Sequence, residues 1–165
     1  MSAIPSPLLD RARPLWPAIA LMVSAALLAG AHAFETFGHM APCQMCLAQR
    51  EWHWGIVALA IAAFLHTRRR PEQARWAAFL IALAFIGSFA MAAKHTAVEL
   101  HWIPETCEFE NTGPISFRAP VGPVVRCDTP QWNLFGLTMA NYNALISLAM
   151  ALLSGLIAFA PERKS

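Results

Sequence analysis

Charged residues are scarce in this sequence. They make up 13% of its 165 residues, whereas hydrophobic residues make up 57%. A soluble domain carries about 25% charged residues, so this composition argues against a soluble protein. The hydrophobic residues gather in four stretches, at 16–34, 47–66, 76–93 and 139–160. A helix needs roughly 20 apolar residues to cross a bilayer, where the backbone must satisfy its own hydrogen bonds. The sequence therefore predicts an all-α membrane protein, a four-transmembrane-helix bundle forming a single domain over residues 1–165.

The positive charges are divided unevenly between the two ends of the predicted helices. Eight of the 12 Lys and Arg residues fall on one side and four on the other, with Arg68, Arg69 and Arg70 in a tight basic turn. Positive residues concentrate in cytoplasmic loops. We therefore expect N- and C-termini in the cytoplasm, and two outer loops at about 35–46 and 94–138. The net charge of +2 hides this division and indicates no nucleic-acid partner; the expected surrounding is the lipid bilayer.

The signatures of several common cofactors are missing. There is no glycine-rich nucleotide-binding fingerprint, and the four cysteines, Cys43, Cys46, Cys107 and Cys127, all fall in the predicted outer loops. A haem-attachment motif needs His directly after the second Cys of a C-x-x-C, where this chain has Leu47. A structural zinc site needs two close-spaced pairs, whereas Cys107 and Cys127 are 20 residues apart. We therefore expect neither a haem nor a metal site.

The first cysteine pair is closely spaced, in the segment PCQMCLAQREW. A disulfide between Cys43 and Cys46 would close a very small loop, and the entropic gain from closure falls with loop size. Such a pair is a poor staple and is more typical of a redox couple. Cys107 and Cys127 enclose a loop rich in Gly and Pro, where a disulfide can be presented to another protein. A non-enzymatic membrane scaffold with two structural disulfides is the alternative.

A cation follows the first pair at helical spacing. If a helix begins near Cys46, then Arg50 and His53 lie close to the same face at i+4 and i+7. The helix N-terminus and Arg50 then both favour the thiolate of Cys46, the form that reacts. Arg50 itself has two interpretations, because it can snorkel to the interface or serve an anionic or carbonyl partner. A thiol pair at membrane depth needs an electron acceptor, and the missing signatures leave a membrane quinone as the hypothesis.

These features resemble the disulfide bond formation protein B (DsbB) family. The resemblance covers nearly the whole chain and rests on the four helices, on PCQMCLAQR, on the second cysteine pair, and on KHTAVE and CDTPQWNLFGLTMANYNAL. It implies a quinone-dependent protein thiol oxidoreductase of the bacterial inner membrane, with its active cysteines on the periplasmic side. The implied partner is a DsbA-type periplasmic thioredoxin-fold oxidase, and the implied cofactor is ubiquinone or menaquinone.

The resemblance also implies a role for each site residue. Cys107 would form the mixed disulfide with the partner, and Cys127 would then exchange with Cys43, which links the two loops. Cys46 would be the thiolate next to the quinone. The quinone-binding residues would be Cys46, Arg50 and His95.

A second family shares some of these features. Vitamin-K-epoxide-reductase-like enzymes are also four-helix quinone and thiol proteins, but they place the C-x-x-C late in the helical core, whereas here it precedes the second helix. The chain also departs from the DsbB pattern in two places. Lys94 stands beside His95 where an acidic or neutral residue is expected, and the segment NTGPISFRAPVGP matches poorly.

Overall fold

Four long helices make up most of the computed structural model, which describes residues 13–104 and 125–160. They are α1 (Trp16–Gly38), α2 (Gln44–Arg69), α3 (Ala74–Glu99) and α4 (Met139–Phe159). Short 3-10 turns precede α1 and α3, and a two-stranded antiparallel hairpin, β1 (Asn133–Leu134) and β2 (Leu137–Thr138), leads into α4. Cys107 and most of the second predicted outer loop lie outside the described residues.

Three of these helices are long and apolar enough to cross a membrane: Arg13–Gly38, Pro71–Glu99 and Met139–Phe159, the first two counted with their 3-10 turns. The 26-residue α2 is not among them in the described part of the chain. Its first turns carry Gln49, Arg50 and Glu51, and its last turn carries Arg68 and Arg69, so the apolar middle is short. The structure is thus that of a helical membrane protein in which one helix of the bundle is markedly more polar than the others.

The helices extend further than the hydrophobic stretches at the end that carries Cys43 and Cys46, which we call the outer end. Helix α1 continues to Gly38 rather than residue 34, and α3 continues to Glu99 rather than residue 93. Neither extension contains a Pro, and the Gly of the first extension, Gly38, is the last residue of α1. As a result, Lys94, His95 and Glu99 lie on the last turns of α3 instead of in a loop.

Packing is uneven around the bundle. Helix α3 packs most extensively against α4, and α2 packs against both α1 and α3, whereas α1 and α4 barely touch. The core contains small side chains such as Ala20, Ala60 and Ala78 beside Ile81 and Phe85. Small residues let helices approach closely where no hydrophobic effect drives their association. The weak contact between α1 and α4 leaves a cleft along the bundle.

The end that carries Arg13 and the basic turn, which we call the inner end, is fastened by hydrogen bonds. Arg13 is buried; its Nε donates to the Ile157 carbonyl at 3.2 Å, and its Nη2 donates to the Ala160 carbonyl. Trp16 Nε1 donates to Ser154 Oγ at 2.9 Å. The last carbonyls of a helix have no intrahelical partner, so Arg13 satisfies groups that would otherwise be unpaired at the end of α4.

Candidate functional site

The two cysteines of the C-x-x-C segment form a reduced dithiol at the start of α2. Both are free, and their Sγ atoms lie 2.9 Å apart. Cys43 is the N-cap residue, and its Sγ accepts a hydrogen bond from the Cys46 backbone N–H at 3.3 Å. The pKa of the Cys43 thiol is raised, because the thiol is hydrogen-bonded to Cys46 Sγ and because it is buried. The shared proton therefore stays on Cys43, and Cys46 is the sulfur on which negative charge can settle.

The predicted arginine lies one helical turn below the dithiol. Arg50 Nη1 is 2.5 Å from Glu35 Oε2, and Nη2 donates to the Ala31 carbonyl at 3.1 Å. Its side chain is 14% exposed. Residue 35 falls in the first predicted outer loop (35–46), and the ion pair arises because α1 runs past Phe34. Arg50 is thus held between α1 and α2 rather than extended into the interface.

The predicted histidine reaches the dithiol from α3. His95 is 3% exposed, and its Nε2 lies 3.7 Å from Cys43 Sγ and 3.8 Å from Glu99 Oε1. The ring also makes a hydrogen bond to the backbone of Cys127. Glu99 in turn accepts a hydrogen bond from Thr138 Oγ1 at 2.6 Å, which ties α3 to the start of α4. Lys94, the unexpected neighbour of His95 in the sequence, is not among the residues that line the cavity described below.

Of the second cysteine pair, Cys127 is the member that lies within the described residues. It is disulfide-bonded and 2% exposed, and it packs in one buried cluster with Cys43, Met45 and Val98. Arg126 beside it donates two hydrogen bonds to Asp128, and these bonds hold the pKa of the Asp128 carboxyl below its usual range. Cys107 lies outside the described residues. The fold therefore brings four of the predicted site residues, namely Cys43, Cys46, His95 and Cys127, into contact, with Arg50 one turn away.

A cavity of about 370 Å³ opens beside the dithiol, in the cleft between α1 and α4. Cys46, Arg50, His53 and His95 contribute polar groups to its wall. The rest of the lining is largely apolar and includes Ala26, Leu27, Leu28, Phe34, Ala140 and Ile146. Small-molecule sites have this character, with apolar walls and a few convergent polar groups.

Several polar residues near the cavity were not predicted as site residues. Gln49, Asn143 and Glu99 line it, and Ser24, Ser88 and Ser147 are fully buried between the helices. The sequence did contain a signal for them, since polar and ionisable residues inside apolar helices are costly and are frequently functional. The long-range pairing of these residues was not visible, because they come from four different helices.

The fold and the site together define a helical membrane protein with a half-buried dithiol beside a ligand-sized cavity. The family model described as "Disulfide bond formation protein DsbB" matches residues 12–157, and the chain belongs to this family. It is therefore a membrane protein of disulfide bond formation, a family of thiol oxidoreductases.

Individual relatives support the same assignment. The chain is 30% identical to "Disulfide bond formation protein B" of Burkholderia ambifaria over 142 residues, 80% of each chain. It is 27% identical to the protein of that name from Azoarcus sp. over 154 residues, 86% of this chain and 89% of the relative. It is also 20% identical to "Uncharacterized protein RP370" of Rickettsia prowazekii over 156 residues, 87% of each. No solved structure matches the chain significantly.

Proposed function

We propose that this protein re-oxidises a periplasmic DsbA-type dithiol oxidase and passes the electrons to a membrane quinone. One observation carries the proposal: the free Cys43–Cys46 dithiol lies against the wall of a cavity that Arg50 also lines. Membership of the DsbB family supports the same chemistry and favours it over a vitamin-K-epoxide-reductase-like enzyme.

The residues around the cavity fit a quinone head group. A quinone bound there would supply an acceptor for two electrons and two protons. Arg50 has five N–H donors in a planar fork, and its bonds to Glu35 and Ala31 engage one each of its two terminal nitrogens. Its other donors can bind a carbonyl oxygen and stabilise negative charge that develops on it. Cys46 and His95 stand at the same wall, and apolar residues of α1 and α4 would hold the ring and exclude water.

The thiol exchanges balance in three steps. The partner's two thiols lose two electrons and two protons and become a disulfide, while the Cys107–Cys127 disulfide becomes two thiols. Exchange with a Cys43–Cys46 disulfide re-forms the first bond and leaves a dithiol at the membrane. That dithiol then gives the same two electrons and two protons to the quinone. A disulfide-bonded Cys127 beside free Cys43 and Cys46 corresponds to the stage just before electrons leave.

The direction of flow follows from redox potentials. DsbA is a strong oxidant, with a potential of about −120 mV, so its re-oxidation needs an acceptor that is more oxidising still. The charge distribution supports the matching location, the bacterial inner membrane with the dithiol on the periplasmic side. Of the eight Lys and Arg residues that the structure describes, five lie at the inner end, opposite the dithiol, and three at the outer end: Arg13, Arg68, Arg69, Arg70 and Arg75 against Arg50, Lys94 and Arg126.

The test is anaerobic reduction of ubiquinone and menaquinone by the purified protein with a reduced DsbA-type partner, followed by absorbance. The native protein should turn over, whereas Cys46→Ser and Cys107→Ser should not. Gln73→Glu, a substitution at a half-buried position of the inner end far from the dithiol, serves as the matched control and should behave like the native protein. If the native protein is as inert as both cysteine variants with both quinones, the proposal is wrong and the scaffold alternative is favoured.

A further inference from the structure

A chain of buried hydrogen bonds crosses the bundle from His53 to the dithiol. We propose that this chain fixes His95 in the tautomer that carries its ring hydrogen on Nε2, so that His95 cannot act as a base towards Cys43. The residues that impose the tautomer are Gln49, Asn143 and His53, which act as positioning residues. The inference deepens the proposed function of the same site and depends on it for its consequences, although the tautomer itself can be measured without any turnover.

The hydrogen-bond chain from His53 to Cys43 has four links. His53 Nε2 lies 2.8 Å from Asn143 Oδ1, Asn143 Nδ2 lies 2.6 Å from Gln49 Oε1, and Gln49 Nε2 lies 2.7 Å from His95 Nδ1. The last link runs from His95 Nε2 to Cys43 Sγ at 3.7 Å. All five residues are less than 10% exposed although they line the cavity, so water reaches little of their surface. A largely buried polar network of this kind is strongly constrained, because a mismatched donor or acceptor is poorly solvated.

The amide groups give the chain a direction. Asn143 Oδ1 accepts from both His53 Nε2 and Ser147 Oγ, which leaves Asn143 Nδ2 to donate to Gln49 Oε1. Gln49 therefore presents its Nε2–H to His95, and His95 Nδ1 must accept. A neutral imidazole that accepts at Nδ1 carries its hydrogen on Nε2.

The other end of the imidazole points to the same tautomer independently. His95 Nε2 faces Cys43 Sγ at 3.7 Å and Glu99 Oε1 at 3.8 Å, and the ring makes a hydrogen bond to the Cys127 backbone. Sulfur, carboxylate and backbone carbonyl are all acceptors towards a ring N–H. A bare lone pair on Nε2 would be surrounded by acceptors and would have no donor except the Cys43 thiol.

The tautomer removes one route to a thiolate on Cys43. Because His95 offers Cys43 a hydrogen and not a lone pair, the ring cannot take the Cys43 proton, although a ring N–H by itself would stabilise charge on that sulfur. Cys43 Sγ donates to Cys46 Sγ at 2.9 Å, so the remaining proton of a singly ionised dithiol stays on Cys43 and the charge lies on Cys46. Cys46 lines the cavity together with Arg50. The positioning residues thus leave Cys46 as the thiolate, without a competing base at Cys43.

The same tautomer bears on metal binding. The Sγ atoms of Cys43 and Cys46 and a ring nitrogen of His95 all lie within 4.8 Å of one another, a set that a thiophilic ion such as Zn²⁺ favours. Zinc needs a nitrogen lone pair, and the Nε2 hydrogen occupies that position. The hydrogen-bond chain therefore also disfavours binding of a metal ion by the reduced cysteines and His95.

The test is NMR of the reduced native protein with isotope-labelled histidine, because the ring nitrogen shifts distinguish a bare nitrogen from one that carries hydrogen. We expect His95 Nδ1 to be bare in the native protein. Gln49→Glu, measured at a pH high enough to ionise the buried carboxyl, should put the hydrogen on Nδ1, because a carboxylate can only accept from the ring. A native His95 with hydrogen on Nδ1, or a Gln49→Glu variant with the native pattern, would overturn the proposal.

A matched control is available at the inner end. Gln73 Oε1 lies 2.6 Å from His66 Nε2, so this glutamine already presents its oxygen to a histidine. Gln73→Glu replaces one acceptor by another, and neither His66 nor His95 should change its pattern. The same chemical substitution is thus expected to invert the tautomer at Gln49 and to leave it unchanged at Gln73.

A second measurement tests which of the two sulfur atoms, Cys43 Sγ or Cys46 Sγ, carries the negative charge. In anaerobically reduced native protein, a thiol-alkylating reagent should modify Cys46 before Cys43, as resolved by peptide mass spectrometry. In Gln49→Glu the ratio of Cys46 to Cys43 labelling should fall by roughly tenfold, the effect of one buried hydrogen bond. Labelling that favours Cys43 in the native protein would contradict the proposal. Neither measurement uses quinone or partner, so failure of the proposed function and failure of this inference are distinguishable.

Discussion

Two arginines, one at each end of the bundle, do different work. Arg13 at the inner end donates to the Ile157 and Ala160 carbonyls at the end of α4, where carbonyl groups have no partner within the helix. Arg50 at the outer end is held by Glu35 and the Ala31 carbonyl and still lines the cavity. At the inner end, Arg13 and Trp16 donate to groups of α4, whereas at the outer end Arg50 lies at the wall of the cavity. Arg13 therefore has a structural role, whereas the role proposed for Arg50 depends on its position at the cavity wall.

The largest expected effect comes from the dithiol. Cys46→Ser should lower quinone-linked turnover by at least roughly thousandfold, because a serine hydroxyl does not ionise near neutral pH and the relay acts as a unit. The inner-end counterpart is Trp16→Phe, which removes the bond from Trp16 Nε1 to Ser154 Oγ. It should lower the thermal midpoint and leave turnover per folded molecule unchanged. Comparable losses of turnover in both variants would remove the distinction between the two ends.

The two arginines can be compared directly with one substitution. Arg50→Met should lower kcat/KM for quinone by about a hundredfold, the range for loss of a donor that stabilises developing charge. Arg13→Met should cost about 1–3 kcal/mol of stability, because it leaves buried carbonyls at the end of α4 without a partner. Steady-state kinetics and thermal unfolding in the same detergent measure both quantities for both variants. If kcat/KM for quinone fell as much in Arg13→Met as in Arg50→Met, the distinction between a structural and a quinone-binding arginine would be wrong.

Glu35→Gln should have a smaller effect. The amide still accepts a hydrogen bond from Arg50, but the ion pair is lost, and partly exposed ion pairs contribute about 1 kcal/mol or less. We expect a several-fold rise in KM for quinone with kcat nearly unchanged. Glu72→Gln, in the 3-10 turn before α3, is the control and should leave KM at the native value. A KM equal in the two variants would mean that Glu35 does not position Arg50.

The smallest effect distinguishes two helical glycines. A Cβ at Gly87 would lie 2.5 Å from the Trp52 ring, so Trp52 must move, whereas a Cβ at Gly155 meets nothing within 4 Å. Gly87→Ala should destabilise by about 1 kcal/mol, and Gly155→Ala should be neutral or stabilise by roughly 0.5–1 kcal/mol. Thermal midpoints of the two variants, measured side by side, test the packing of α2 on α3. An equal or higher midpoint for Gly87→Ala would show that Trp52 moves at no cost.

Much of the architecture could be predicted from the sequence. Long apolar runs define helices whatever surrounds them, and three of the four helices are long and apolar enough to cross a membrane. The ends of the helices were less predictable, because polar residues such as Lys94 and His95 end a hydrophobic stretch without ending a helix. The family assignment from PCQMCLAQR and the later motifs is confirmed by the match over residues 12–157.

The site was only partly predictable, and for a physical reason. The C-x-x-C and Arg50 are close in sequence, so helical periodicity relates them. The Glu35–Arg50 pair and the bonds that join Gln49 to Asn143 and His95 connect different helices, and only the packing of the bundle brings them together. The roles of Cys107 and Cys127 stay predictions that rest on the resemblance.

The most direct test of the central claim is a single turnover without any partner protein. The protein is reduced with a dithiol, freed of reductant and mixed anaerobically with ubiquinone or menaquinone. The account predicts that up to two quinones are reduced per protein molecule, one for each dithiol, and that a disulfide between Cys43 and Cys46 appears at the rate of the first reduction, with neither change in Cys46→Ser. A Cys43–Cys46 dithiol that persists beside unreduced quinone of both kinds would contradict the account.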